Sequence, residues 1–414
     1  MRISWFSHYF SPEIGAPSAR IHDLSRGWIK NGHQVDVVTC FPNHPTGTIY
    51  PGYRLSPCMS ETISGIRVHR VPTYITPNRG FVRKLAGHVS LLPSSVLLGG
   101  PRLDRPDVVI GTSPTFFAAM GASATAMLRG APFVMEVRDL WPAIFVELGV
   151  LKNPMLIRWI EKMEIALYRL ASRVVTVTES FRRNLLDRGI PEKKVVTIPN
   201  GADTEFWTPV NEDGQLRSEL GLDNKFVVLY IGAHGISHGL SSILDAAALL
   251  ENRSEIEFVF VGEGAEKSEL IKKARRIGLR NVCFLPPVDK EGVTSYYAMA
   301  DVCLVPLRDI PLFDSFIPSK MFEIMAMGRP ILGSLRGEAA GIIERSGGGV
   351  VLPPETPERM AAAIVDGFDR PGELAAMGRA GRMFVEREFS RDRLAGRYES
   401  MLREVVAERG AGRG

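Results

Sequence analysis

The sequence predicts an α/β protein built from two doubly wound domains, and three observations lead there. The chain has 414 residues, more than one ordinary core holds, so two domains of roughly 200 residues each are expected. Short, continuously apolar, β-branched runs alternate with amphipathic helical patterns, as in parallel strands covered on both faces. The pattern also restarts: the strand, glycine loop and helix that open the chain recur near residue 226 as "FVVLYIGAHGISHGLSSIL".

Taken in order, the strand candidates of the first half are "RISWFS", "QVDVVTC", "IRVHRVP", "DVVIGT", "FVMEV", "RVVTVT" and "KVVTI". Those of the second half are "FVVLYIG", "IEFVFVG", "NVCFL", "DVCLVPL", "PILGS" and "GVVLP". Helices such as "PSARIHDLSRGWIKNG" and "LSSILDAAALLENR" fall between them. Between the halves lies "IPNGADTEFWTP", residues 198–209, whose Pro and Asn-Gly mark turns and a domain junction. The final segment reads as helices with a break near Phe389 and Ser390.

Composition narrows the function classes. With 45% hydrophobic and 23% charged residues the chain is globular rather than disordered. The four cysteines, Cys40, Cys58, Cys283 and Cys303, are scattered and form no zinc or redox pair, which fits a reducing cytoplasm. The opening residues lack a signal-peptide pattern, and no apolar window is long enough to span a bilayer. "LAGHVSLLPSSVLLGG", residues 85–100, is either a membrane-surface segment or core. A net charge of +4 does not point to nucleic acid. Locally, however, the first half is basic. Arg67, Arg70, Arg79, Arg83, Lys84, Arg102 and Arg105 form one run, and the cations from Lys152 to Lys194 form another. Such a face is either an ordinary solvated surface or one suited to anionic lipid headgroups.

The most informative stretch is "SFIPSKMFEIMAMG", residues 315–328. Pro318 suits the first turn of a helix, and Ile317 offers no capping oxygen. The Ser319 and Lys320 amides with the Lys320 ammonium then form an anion site. Glu323, in otherwise apolar company, shares a face with Lys320. It either accepts both hydroxyls of a ribose or forms an intrahelical pair with Lys320 worth about 0.2–0.5 kcal/mol.

Three further loops sit at strand ends, where ligands of doubly wound sheets bind. "HYFSPEIGAPSAR", residues 8–20, carries Gly15 and Ala16; it is not a dinucleotide fingerprint, and alone it reads as an ordinary turn. "EVRDLWPA", residues 136–143, presents Arg138 either to a phosphate or to a surface pair with Asp139 or Glu136. "GAHGISHGL", residues 232–240, carries Gly232, His234 and His238 and can approach phosphates through its amides; its histidines lack the companion carboxylate a metal site needs. "VGEGAEKSEL", residues 261–270, is another glycine turn, with Glu263 at its centre. No Asp-x-Asp triplet and no Gly-x-Ser-x-Gly elbow occurs.

In order, "HYFSPEIGAPSARI", "NGHQVDVVT", "IPNGADTEFW", "VGEGAEKSEL", "VCFLPPVDKEGVTSYYAMADVCLVP" and "FEIMAMGRPIL" resemble segments of the retaining glycosyltransferases of family 4. "EVRDLWP" and "IPSKMFE" further resemble the branch found in O-antigen and capsule gene clusters, whose members are described as amino-sugar transferases. The resemblance implies a GT-B fold, two Rossmann-like domains facing a central cleft. It implies an N-terminal acceptor-side domain over 1–203, a nucleotide-sugar domain over 204–385, and a C-terminal helix over 386–414 that returns to the first domain.

It further implies donor binding by Gly15, Ala16, Gly232, His238, Glu263, Val288, Ser319, Lys320 and Glu323, with the base near Pro287 and Val288. Glu323 matches the ribose-binding second glutamate of the family's Glu-x7-Glu motif. Arg138, Asp139 and Lys320 take the catalytic roles. Ser315 stands where the first glutamate would be, with Asp314 adjacent; Ala233 and His238 replace the usual Arg and Lys; Arg138 replaces a histidine.

The expected activity is metal-independent, cofactor-free transfer of a sugar, an N-acetylated amino sugar by the branch, from a UDP-type donor. The expected acceptor is a polyprenyl-diphosphate-linked saccharide, with contact to the cytoplasmic membrane face through the N-domain. The rival readings are a nucleotide-sugar epimerase or hydrolase and a catalytically silent nucleotide-sugar-binding protein.

Overall fold

The computed structural model describes residues 1–13, 15–44, 46–76, 81–113, 115–143, 146, 151–210 and 214–411. It divides into two compact Rossmann-like units: Met1–Pro199 with Arg391–Gly414, and Asn200–Ser390. The divisions fall after 199 and after 390, where the sequence placed them after 203 and after 385.

The first unit contains an eight-stranded sheet. Its strands are β1 (Arg2–Phe6), β2 (Gln34–Cys40), β3 (Met59–Ile63), β4 (Ile66–Val71), β5 (Val108–Thr112), β6 (Phe133–Val137), β7 (Arg173–Thr176) and β8 (Val195–Thr197). Their order is β3-β4-β2-β1-β5-β6-β7-β8. All pair in parallel except β3 and β4, an antiparallel hairpin. Trp5 of β1 stands opposite Val37 and Ile110, so the central strands are apolar on both faces.

β3 has no counterpart among the expected strands. As an edge strand it alternates half-buried and exposed residues, and "MSETI" carries three polar residues in five. Its signal is the turn: Ser64 and Gly65 both have positive φ, 50° and 82°, the backbone of a two-residue hairpin loop.

Helix Ala16–Lys30 packs beside helix Arg391–Ala411, which crosses back from the far end of the chain. Leu394, Tyr398, Met401, Leu402 and Val405 recur at helical spacing on its buried face. Trp28 stacks on Trp5 at 5.4 Å and donates from Nε1 to the Ala395 carbonyl at 3.0 Å. Each such fully buried side chain contributes about 1.5–3 kcal/mol.

Residues 85–100 are core on one side only: Leu91, Ser95 and Gly99 are buried, whereas Val89 and Leu97 are 41% and 70% exposed. Helix Phe81–Ser94 continues into a turn at Ser95–Gly99, where Gly99 lies so near the sheet that a Cβ would sit 2.6 Å from Val38. The first basic run is not one solvated face. Arg70 is fully buried and paired with Glu61, and Arg67 bridges Asp36 and Asp104. Arg79 and the Lys84 side chain lie outside the described residues. Among the described residues no helix is long and apolar enough to cross a membrane.

The second unit contains β9 (Phe226–Ile231), β10 (Ile256–Val261), β11 (Val282–Leu285), β12 (Val302–Pro306), β13 (Ile331–Ser334) and β14 (Gly349–Leu352). The order is β11-β10-β9-β12-β13-β14, parallel throughout. The chain leaves β9 toward one edge and returns to β12 on the other side. This makes the carboxyl ends of β9 and β12 the switch point where such sheets bind ligands. In the first unit the corresponding point lies between β1 and β5.

Candidate active site

At the second unit's switch point Gly232 follows β9 and Gly262 follows β10, with φ of 139° and 140°. Both positions require glycine. A Cβ on Gly262 would lie 2.0 Å from the Gly232 carbonyl oxygen, and a Cβ on Gly232 would lie 2.6 Å from Lys320 Nζ. The two bare strand ends leave room for one ammonium.

That ammonium is unusual. Lys320 Nζ is sealed from solvent and, among the described residues, has no hydrogen-bond partner. It lies 4.0 Å from the centre of the Tyr230 ring, a cation–π contact, while the Tyr230 hydroxyl donates to the Ala233 carbonyl at 2.6 Å. Burial pulls the Lys320 pKa from 10.5 down to about 7, with Glu323 acting in the opposite sense. A buried cation without an anion is costly unless a ligand supplies the missing charge.

Lys320 opens the short helix Lys320–Ala326. Ser319 precedes it without a capping side-chain bond; its Oγ accepts instead from Asn200 Nδ2 at 3.3 Å. Met321, Phe322, Ile324, Met325 and Ala326 are buried, and Glu323 is the half-exposed residue among them. Burial pushes the Glu323 carboxyl up; Lys320, Lys290 and a hydrogen bond from the Tyr297 hydroxyl oppose that rise. No Lys320–Glu323 ion pair forms among the described residues, so the intrahelical pair is corrected. The two charges sit on one face, with the Tyr297 hydroxyl on the carboxylate and no hydrogen-bond partner on the ammonium among the described residues.

The adjacent loops fill in the surroundings. His234 and His238 are both pulled to about 4, first by burial, so both are neutral at pH 7 and neither replaces a cation. His234 packs against Tyr230, Phe260 and Phe284 and is a core residue. Glu263 is exposed; its carboxylate accepts from the Gly264 amide and from Lys267 Nζ, which hold it below the usual range. Lys267 also donates to the Gly262 and Leu285 carbonyls at 2.7 and 2.9 Å, tying the ends of β10 and β11. Val288 is half-buried beyond β11. Ser315 donates to the Leu312 carbonyl, and Asp314 lies 3.7 Å from Arg336, so neither takes the place of the absent glutamate.

In the first unit, Arg138 and Asp139 follow β6 directly. Among the described residues Arg138 forms an ion pair with neither Asp139 nor Glu136. Glu136 is fully buried and accepts from Arg20 Nε and Thr112 Oγ1, both at 2.9 Å, leaving Arg138 to neither it nor Asp139. Arg138 Nε and Nη1 are buried without hydrogen-bond partners among the described residues, and burial lowers its pKa. Asp139 is pushed up to about 6 by burial. Gly15 caps helix Ala16–Lys30 with φ 164°, an extended backbone open to any residue, and a Cβ there would meet only Pro17 at 3.6 Å.

Sequence reasoning passed over four of these groups. Tyr230, Tyr297 and Lys267 carry no distinguishing signal in their own segments. Glu13 accepts the amides of Phe10, Asn43 and His44 and joins the loops after β1 and β2. Its signal was an acid between a proline and a glycine, at a strand end.

Known proteins fit this geometry. Residues 15–201 match the family model described as "Glycosyl transferase 4-like domain", and residues 225–369 match "Glycosyl transferases group 1". WcaI of Escherichia coli (strain K12), named as a glycosyl transferase of colanic acid biosynthesis, is 28% identical over 374 residues, 88% of this chain and 91% of WcaI. The glycosyltransferase WbjE of Pseudomonas aeruginosa is 26% identical over 320 residues, 74% of this chain and 77% of WbjE. Among solved structures, sucrose-phosphate synthase from Thermosynechococcus elongatus superposes with a TM-score of 0.76 at 19% identity, covering 98% of this chain and 99% of that one. Anabaena Alr3699/HepE, solved with UDP and glucose, gives a TM-score of 0.73 at 18% identity over 97% and 99% of the two chains.

Fold and sequence together define a glycosyltransferase of the GT-B class. The chain belongs to glycosyltransferase family 4.

Proposed function

We propose that the protein is a retaining, metal-independent transferase of cell-surface polysaccharide assembly. It moves an N-acetylated amino sugar from a UDP-type donor to a lipid-linked saccharide at the cytoplasmic membrane face. The observation that carries the donor site is the unpartnered Lys320 ammonium beside the half-exposed Glu323. Lys320, with the Ser319–Lys320 helix start, meets the diphosphate, and Glu323 accepts the ribose hydroxyls. Gly232 and Gly262 leave the space that the phosphates need, His238 donates as a neutral imidazole, and Val288 borders the base.

In the reaction the bond from the anomeric carbon to the diphosphate oxygen breaks through an oxocarbenium-like state. The acceptor oxygen bonds to the same face and passes its proton to a phosphate oxygen. Holding the leaving group and orienting the acceptor supply most of the rate. Arg138 and Asp139 are assigned to the acceptor side. The names of WcaI and WbjE support the polysaccharide reading, and the UDP bound by HepE supports the donor class.

The test is a panel of nucleotide sugars with a lipid-linked acceptor, read by mass spectrometry; no product with any donor overturns the reading. Glu323→Ala is expected to weaken donor binding at least tenfold, since hydrogen bonds to a charged acceptor contribute about 1.5–3 kcal/mol each. Its melting curve should stay close to that of the unmodified protein. Unchanged affinity with a collapsed melting curve would make Glu323 a structural residue.

Donor affinity should also depend on pH in a set direction. The free protein loses the Lys320 proton near pH 7, and a diphosphate binds the protonated form. Affinity is therefore expected to be flat below pH 7 and to fall by up to about tenfold per unit above it. Calorimetric titration with a nucleotide sugar checks this; constant affinity from neutral to alkaline pH contradicts it.

A further inference from the structure

Helix Pro154–Leu170 has two apolar faces where a helix covering a sheet needs one. Ile160, Leu167 and Tyr168 are buried, together with Glu164, which pairs with Arg188. Roughly a third of a turn away, Met155, Trp159 and Leu170 are 81%, 59% and 63% exposed, with Leu156 beside them at 41%. Their spacing of four and then eleven residues puts them in one stripe.

A second stripe borders the first. Arg158, Lys162 and Arg169, four and then seven residues apart, are exposed, and among the described residues none of them forms an ion pair. Glu161 is the one exposed acid of the helix. Large apolar side chains flanked by unspent cations are the pattern of a helix lying in a bilayer surface.

Position adds to pattern. The helix leaves the carboxyl end of β6 and runs back to the start of β7. Met155, Leu156 and Trp159 therefore sit in its first two turns, at the edge of the sheet where ligand loops gather.

We propose that this helix docks the first unit onto membrane surfaces rich in anionic phospholipid. Trp159, Met155 and Leu156 enter the boundary between headgroups and acyl chains, while Arg158, Lys162 and Arg169 meet lipid phosphates. A second copy of the chain fits less well, because self-pairing would set the basic stripes against each other with only Glu161 to answer them. The docking rests on the lipid-linked acceptor reading for its purpose, but not for its occurrence.

The test uses the full-length protein with phosphatidylglycerol-containing vesicles and with pure phosphatidylcholine vesicles. Co-sedimentation is expected with the first and not with the second, accompanied by a blue shift of tryptophan emission that Trp159→Ser abolishes. Each of Arg158→Ser and Lys162→Ser should weaken binding by about fivefold. All three variants should keep the melting temperature and the rate of transfer to a water-soluble acceptor. Failure to bind anionic vesicles, equal binding by Trp159→Ser, or a dimer that Trp159→Ser dissolves would each overturn the proposal. Vesicle binding by a protein that transfers no sugar would remove the proposed function and leave the docking standing.

Discussion

Lys320→Met will yield a protein that unfolds at a higher temperature and transfers sugar at a small fraction of the original rate. The two effects share a cause. Burial holds the Lys320 pKa near 7 against 10.5 in the unfolded chain, so at pH 7 and below the fold carries up to about 5 kcal/mol of unfavourable desolvation. Methionine fills a similar volume without the charge.

The sign of the pH dependence follows from linkage. Between pH 7 and 10.5 the unfolded chain holds a proton that the fold has shed, so the stability of the unmodified protein rises with pH across that window. The variant loses this slope, and its advantage is greatest below pH 7. Activity should fall by about two to three orders of magnitude, as when one preorganised stabiliser of a developing anion is removed. Differential scanning calorimetry at several pH values and a steady-state assay test both halves. A destabilised variant, or one with full activity, refutes the assignment.

The second large effect lies in the first unit. Arg20 donates to Glu136 and to the carbonyls of Ile198 and Pro199 at 2.9 and 2.7 Å, and Glu136 is wholly buried. Arg20→Met leaves that carboxylate, among the described residues, with the Thr112 hydroxyl as its remaining hydrogen bond. The expected cost is about 3–5 kcal/mol, seen as a drop of roughly 10 °C in the melting of the first unit. Adding Glu136→Gln should restore most of the loss, because the stranded charge and not the missing packing carries the penalty. No rescue would show that Arg20 acts through shape. The pair belongs to the framework that positions Arg138 two residues on, so donor affinity should change little in the rescued protein.

The sequence made most of the framework readable, for a physical reason. Parallel strands buried on both faces must be continuously apolar, and thirteen such runs coincide with strands in the two sheets. β3 escaped because an edge strand with one wet face spells out a different pattern.

The site was legible in part. Glu323 drew attention because a carboxylate among "MFEIMAM" conflicts with its surroundings, and local conflict of that kind concentrates at functional positions. The isolation of Lys320 was not legible. It depends on Tyr230 beneath the ammonium and on two glycines from neighbouring strands, which no spacing in the chain connects. For Arg138 the sequence leaves a phosphate and a surface pair open because its neighbours in sequence are acidic, whereas the fold gives Glu136 to Arg20, far away along the chain.

The helix Arg391–Ala411 has a consequence for how the molecule is made. It supplies Leu394, Ala395, Tyr398, Met401, Leu402 and Val405 to a core whose other buried members lie ahead of residue 200. The second unit is one uninterrupted stretch, Asn200–Ser390, and the first is not. On the ribosome the later unit therefore has all its parts while the earlier one still waits with Trp28 uncovered. The half of the protein that is translated first is the half that must finish folding last.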